Sequence, residues 1–268
     1  MLTFTKMNGA GNDFVLIDNR QGNHSLDRET IARICDRHRG VGADGLIAVE
    51  PAQNGADFRM RYYNSDGGEA EMCGNGARCF ARYAGRLAGR KDAISFETIA
   101  GVISAEFVGA NEVRLAMSEP TDLRLSLEVP VNGATHTAHF LNTGVPHAVL
   151  FVDDLEQAPV QKLGAAIRYH DVFAPRGTNV NFACRTAPDA VAIRTYERGV
   201  EGETLACGTG VVATALLFHK TTGAPSPVSV TVRGGETMKV AFETDGENFR
   251  NVTLTGPADF VFEGQIAV

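Results

Sequence analysis

Cys73 opens the segment Met72-Cys73-Gly74-Asn75-Gly76, and 134 residues later, half the length of the chain, Cys207 opens a near copy, Ala206-Cys207-Gly208-Thr209-Gly210. An apolar stretch follows each, 77–84 and 211–218, and both read as helices. Ala77, Phe80, Ala81 and Ala84 share one face of the first; the second is apolar nearly all round and is expected to be buried. Each cysteine therefore stands at a helix N-terminus. There the backbone N–H groups and the positive end of the helix dipole favour a thiolate, and equally a carboxylate lying beside it. Two such thiols suit a redox disulfide if their sulfurs meet. They also suit two-base proton transfer, one thiolate removing a proton from carbon and the other thiol returning one to the opposite face. Zinc is disfavoured, because neither cysteine has Cys-x-x-Cys or His-x-x-x-His spacing around it.

Proton transfer at an amino-acid α-carbon needs a stabilised carbanion, and no lysine stands in a recognisable setting for a pyridoxal Schiff base. The helix ends would have to supply the stabilisation. A substrate carboxylate between the N–H groups of Gly74, Asn75, Gly208 and Thr209 gains negative character as the carbon loses its proton, where donors are already aimed. Glu197 is available for the α-ammonium. The remaining cysteines, Cys35, Cys79 and Cys184, sit in apolar stretches and read as small buried hydrophobes.

The elements that must hold these thiols follow from pattern and punctuation. A repeat at half the length of a 268-residue chain predicts two pseudo-symmetric domains, 1–118 and 119–261, with a last strand, 262–268, returning to the first. In the first half, strands are expected at 2–6, 14–17, 46–49, 58–63, 94–98, 101–107 and 113–117, a helix over 26–37 capped by Ser25 or Asp27, and a polar turn over 8–13. In the second, strands are expected at 127–131, 135–141, 148–152, 190–195, 228–232, 238–242 and 252–255, and a helix at 160–167. Residues 142–147 and 175–181 read as loops. Short strands with one buried helix per half make the class α+β.

The formal charge of −7, without a basic run, offers no footprint for nucleic acid or an anionic membrane, so a small soluble ligand is expected. No apolar run approaches the roughly 18 residues of a membrane span, and the polar start lacks a signal-peptide core. Five cysteines, an odd number without a framework, fit a reducing compartment, and the cytoplasm is the expected location.

The segments MNGAGNDFVLID, RGVGADGLI, YYNSDGGEAEMCGNGARCFARY, GTNVNF and YERGVEGETLACGTG stand in an order and spacing that resembles the diaminopimelate epimerase family over essentially the whole chain. The resemblance implies two domains, each a strongly curved, mainly antiparallel sheet around a central buried helix, and interconversion of LL- and meso-2,6-diaminopimelate without cofactor or metal. It also implies a homodimer. It places the active thiols at Cys73 and Cys207, with the backbone of Gly74, Asn75, Gly208 and Thr209 on the reacting carboxylate. Asn12, Asn64, Asn179, Glu197 and Arg198 become substrate contacts, and His147 and Glu197 tune the thiols. Two positions depart from a familiar form of the family: Gly45 where some members have glutamine, and Val145 within GVPH. A proline or hydroxyproline racemase also pairs cysteines, and a thiol redox or ligand-binding protein could use the same fold. Deuterium entering the α-carbon from solvent separates the isomerases from the latter.

Overall fold

The computed structural model describes every residue except Glu71. The chain divides into two units, Met1–Ala116 with Thr255–Val268, and Met117–Leu254.

The first unit opens with a hairpin of β1 (Leu2–Gly9) and β2 (Asn12–Asp18). Its turn is only Ala10-Gly11, with φ of 57° and 94°, the twist that suits a two-residue hairpin. The polar residues expected as a loop thus pair across the strands, Asn8 with Asp13 and Gly9 with Asn12. Helix α1 (Arg28–Cys35) is shorter than the pattern suggests: Asp27 caps it by accepting a 2.9 Å bond from Thr30 N, and Asp36 is already extended. Then come β3 (Gly45–Pro51), β4 (Phe58–Asn64), the short β5 (Glu69–Ala70), α2 (Gly74–Ala88), β6 (Ala93–Thr98), β7 (Gly101–Val108) and β8 (Glu112–Ala116).

The second unit contains β9 (Thr121–Val131), β10 (Ala134–Asn142), β11 (Pro146–Phe151), α3 (Val160–Arg168), β12 (Asn179–Ala187), β13 (Ala190–Glu197), β14 (Gly202–Thr204), α4 (Gly208–Thr222), β15 (Val228–Thr231), β16 (Thr237–Asp245) and most of β17 (Asn248–Pro257), whose residues from Thr255 onward belong to the first. The last strand, β18 (Asp259–Ile266), runs antiparallel along β1.

Pairing repeats from one unit to the other. In the first, β1/β2 is antiparallel, β2/β3 parallel, β3/β4 antiparallel, β4/β6 parallel and β6/β7 antiparallel. In the second, β10/β11, β11/β12, β12/β13, β13/β15 and β15/β16 follow the same sequence. Each first parallel crossover is made by an outer helix, α1 or α3, and each second one by an inner helix, α2 or α4. The sheet of the first unit wraps α2, which touches β1, β2, β3, β4, β6, β7 and β8; that of the second wraps α4, which touches β10 to β13, β15 and β16.

Strands between an inner and an outer helix bury both faces, so they read as continuous apolar runs rather than alternating ones. On β2 and β3, Val15, Ile17, Leu46 and Ala48 pack with Ile31, Ile34 and Cys35 of α1. On β11 and β12, Ala148, Leu150, Val180 and Phe182 pack with Val160 and Ile167 of α3. The alternate residues point the other way, toward α2 or α4.

β12 was not expected as a strand, because the asparagines of Asn179-Val180-Asn181 look like turn residues. It is instead a fully paired interior strand, parallel to β11 and antiparallel to β13. β11 likewise begins at Pro146, so His147 lies in a strand and not in a loop.

Candidate functional site

Cys73 is the N-cap residue of α2 and Cys207 that of α4. Both have extended backbone (φ −134° and −123°), and the first helical bonds run from Ala77 N to Cys73 O at 2.7 Å and from Val211 N to Cys207 O at 2.9 Å. Serine, threonine, aspartate or asparagine would cap far better than cysteine, and neither cysteine makes a side-chain capping bond. Both helices therefore start with a poor cap followed by a glycine-rich turn, which keeps the first-turn N–H groups approachable. The helices are of equal length, and each ends on a left-handed glycine, Gly89 and Gly223. Cys73 is half-buried, and Cys207 is 7 % exposed.

In the first unit, Asn12 and Asn75 are brought together and oriented. Asn75 Nδ2 donates to Asn12 Oδ1 at 2.7 Å, and Asn12 Nδ2 donates to Asp44 Oδ2 at 2.9 Å. Arg78, fully buried one turn into α2, donates to Asn75 Oδ1 at 2.9 Å, to Pro257 O at 3.1 Å and to Gly74 O at 3.5 Å. Asp44 is held in turn by Arg37, which also makes a two-pronged pair with Asp13. Burial pushes the Asp13 carboxyl up, but hydrogen bonds and charge from Arg37 and Lys6 win and hold it far below the usual range. Neither Arg78 nor Asp44 was singled out from the sequence. A charged residue in an amphipathic helix reads as solvent-facing, and only its neighbours in space show otherwise.

Asn64 is exposed at the end of β4, its Oδ1 accepting from the Tyr62 hydroxyl at 2.9 Å. It pairs across the sheet with Gly45. No side chain fits at Gly45: a Cβ there would stand 2.4 Å from Tyr63 O and 2.7 Å from Tyr62 Cε2. The departure noted at this position is a steric requirement of this chain.

In the second unit, Asn179 is buried. Its Nδ2 donates to Pro146 O at 3.0 Å, and its Oδ1 accepts from Arg198 N at 2.8 Å, so it fixes the backbone from which Arg198 projects. Arg198 Nη1 also reaches Arg176 O at 3.4 Å. Glu197 accepts from the Thr204 hydroxyl at 2.8 Å, and burial raises its carboxyl above the ordinary value despite that bond.

His147 is completely buried; its Nε2 lies 2.9 Å from Thr209 Oγ1, and Thr209 Oγ1 lies 3.6 Å from Cys207 Sγ. Burial, with the Arg198 charge adding to it, lowers the His147 pKa to about 3. The ring is therefore neutral near pH 7. The linkage sign follows: between the ordinary histidine value and about 3 the unfolded chain binds a proton that the folded chain does not. Stability from this group is complete above about pH 6.5 and falls as pH drops, by roughly 1.4 kcal/mol per unit at most. Replacing His147 by Gln is expected to flatten the melting-temperature profile between pH 6.5 and 4, approximately, and a profile as steep as the parent's would rule the assignment out.

Of the other cysteines, Cys35 and Cys79 are buried, and burial pushes both thiols up to about 12. Cys184 differs from expectation: it is half-exposed on β12, with Sγ donating to Asp153 O at 3.3 Å.

The fold has counterparts among solved structures. The structure of a probable proline racemase from Agrobacterium radiobacter superposes with a TM-score of 0.72 over 100 % of this chain and 93 % of that one, at 16 % identity, a likeness of fold. In sequence, the family model for diaminopimelate epimerase matches residues 4–122 and 139–261. The diaminopimelate epimerase of Chlorobaculum tepidum is 46 % identical, covering 98 % of this chain and 100 % of that protein. That of Hydrogenobaculum sp. is 42 % identical over 99 % of each. The chain belongs to the diaminopimelate epimerase family.

Proposed function

We propose that this protein interconverts LL- and meso-2,6-diaminopimelate, with Cys73 and Cys207 as its two acid–base groups and no cofactor. The observation that carries the reading is the repeated placement of a cysteine, in place of an ordinary capping residue, at the start of each inner helix. Family membership supplies the substrate.

In the proposed reaction one cysteine, as thiolate, takes the α-proton, and the electron pair left on carbon spreads into the α-carboxylate. Backbone N–H groups of Gly74, Asn75, Gly208 and Thr209 hold that carboxylate as its charge grows. The other cysteine, as thiol, gives its proton to the opposite face. The first then holds a proton and the second has lost one, so the enzyme is set for the reverse direction until the two re-equilibrate. Glu197 takes the α-ammonium, while Asn12, Asn64, Asn179 and Arg198 hold the rest of the substrate. Family resemblance supports a homodimer, and the odd cysteine count, which fits a reducing compartment, supports a cytoplasmic location.

The test is incubation in deuterium oxide with LL-diaminopimelate and, separately, L-proline. Meso product carrying α-deuterium is expected from the first and none from the second. Exchange on proline alone, or a change only in thiol count, would overturn the reading.

Arg198 is expected to grip the distal carboxylate with two parallel hydrogen bonds, a geometry lysine cannot reproduce. Arg198→Lys should raise KM about tenfold and lower kcat as orientation loosens. Unchanged kinetics with a lowered Tm would make the residue structural.

A further inference from the structure

The two units can be compared position by position where the parallel strand pair faces the inner helix. In the first, Phe14 pairs with Gly45 and Leu16 with Ile47; in the second, His147 pairs with Asn179 and Val149 with Asn181. Phe14 thus corresponds to His147, and Ile47 to Asn181. The helix glycines confirm the match. A Cβ on Gly76 would meet Ile47 Cδ1 at 3.0 Å and Phe14 Cε1 at 3.5 Å, whereas one on Gly210 would meet Asn181 Oδ1 at 2.5 Å and His147 Cε1 at 3.3 Å. Behind Cys73 the packing is apolar. Behind Cys207 the same places hold two fully buried polar side chains.

A buried polar pair costs stability unless every donor and acceptor is used, and here the partners dictate the direction of each bond. Asn181 Nδ2 lies 3.1 Å from Ala148 O, an acceptor only, which fixes the amide orientation. Asn181 Oδ1 takes the hydroxyl of Thr195 at 2.9 Å. The second Nδ2 proton then points to His147 Nδ1 at 3.2 Å, so Nδ1 is the acceptor and the ring proton sits on Nε2. Nε2–H donates to Thr209 Oγ1 at 2.9 Å. With its oxygen accepting there, the Thr209 hydroxyl proton is directed to Cys207 Sγ at 3.6 Å. Thr143 Oγ1 donates to Thr209 O at 2.9 Å and steadies the residue.

We propose that Asn181, His147 and Thr209 form a one-way hydrogen-bond relay that delivers a donor to the Cys207 sulfur and so stabilises its thiolate; the positions of the first unit that match Asn181 and His147 are the apolar Ile47 and Phe14. Asn181 and His147 are positioning residues; the Thr209 hydroxyl is the group that meets the thiol. The charged group that bears on the relay is Arg198, whose charge acts on His147. The inference deepens the proposed reaction and rests on Cys207 being one of its two bases.

The test is a pH titration of Cys207 in the full chain, read from the carbon-13 shift of its Cβ, beside nitrogen-15 shifts of His147. Thr209→Val removes the donor and should raise the Cys207 midpoint by about one pH unit, and Thr209→Ser should restore it. Asn181→Asp has the same shape but no proton to give. It should move the ring proton to Nδ1, turn the Thr209 hydroxyl toward Nε2 and raise the Cys207 midpoint as Thr209→Val does. An unshifted midpoint in Thr209→Val, or equal shifts in Val and Ser, would overturn the relay, and so would a His147 proton found on Nδ1 in the parent. The titration needs no substrate. A chain that failed to epimerise diaminopimelate would refute the proposed function while leaving the relay measurable.

Discussion

Alanine at Cys73 or at Cys207 is expected to lower epimerisation by about 10³-fold or more, because each face of the substrate carbon needs its own acid or base and no neighbouring side chain can take over. The folded state should survive. Neither sulfur makes a capping bond to its helix, so alanine removes no capping interaction; Cys73 is half-buried, and at Cys207 the loss is one small buried atom. A change in stability of about 1 kcal/mol is expected. Each variant should retain wash-in of solvent deuterium or elimination on the side where its remaining thiol acts. Circular dichroism and Tm establish folding, and chiral analysis of the product measures epimerisation. Near-parental epimerisation by either alanine variant would mean a single base suffices.

The second large effect is expected at Arg78. Replacement by Met keeps the length of the stem but removes the guanidinium, and with it the bonds to Asn75 Oδ1 in the interior and to the half-buried Pro257 O and Gly74 O. A hydrogen bond from a charged donor contributes about 1.5–3 kcal/mol, so with the two shorter bonds lost a decrease of ~4 kcal/mol is expected, or roughly 10 °C in Tm. Activity should fall as well, below what the residual folded fraction explains. The Asn75 amide would lose the bond that holds its Oδ1, and its bond to Asn12 would be aimed less firmly. Thermal unfolding combined with kinetics well below the midpoint separates the two effects. A variant with the parent's Tm would show that the buried charge had cost as much as its bonds returned.

The frame of the candidate site was legible because it is written twice. The two cysteine–glycine segments placed both inner helices and their cap residues, and glycine with apolar periodicity was enough. The parts that escaped are those where a local rule is overridden. Asn179 and Asn181 carry turn chemistry, yet they stand in an interior strand because their amides are consumed by Pro146 O, Arg198 N, Ala148 O and His147. His147 was assigned to a loop because proline and glycine precede it, and Arg78 was lost among the charges expected on the outer face of a helix. Such conflicts between local preference and final place gather where buried polar groups are being aimed. The cost is visible elsewhere too: Tyr63 Oη and Thr214 Oγ1 are buried without a hydrogen-bond partner among the described residues.

The pairing of β18 with β1, from Leu2 opposite Ile266 to Asn8 opposite Asp259, joins two strands that lie far apart in sequence. A ribosome makes β1 long before β18. The segment Met117–Leu254 is contiguous and can complete its own contacts while the chain is still attached, but the other unit must wait for Thr255–Val268. Throughout that interval β1 has a neighbour on one edge only, and its other edge offers backbone groups to any passing strand. A message cut short at Pro257 would yield a polypeptide containing both cysteines and both inner helices, yet permanently arrested in that unfinished condition.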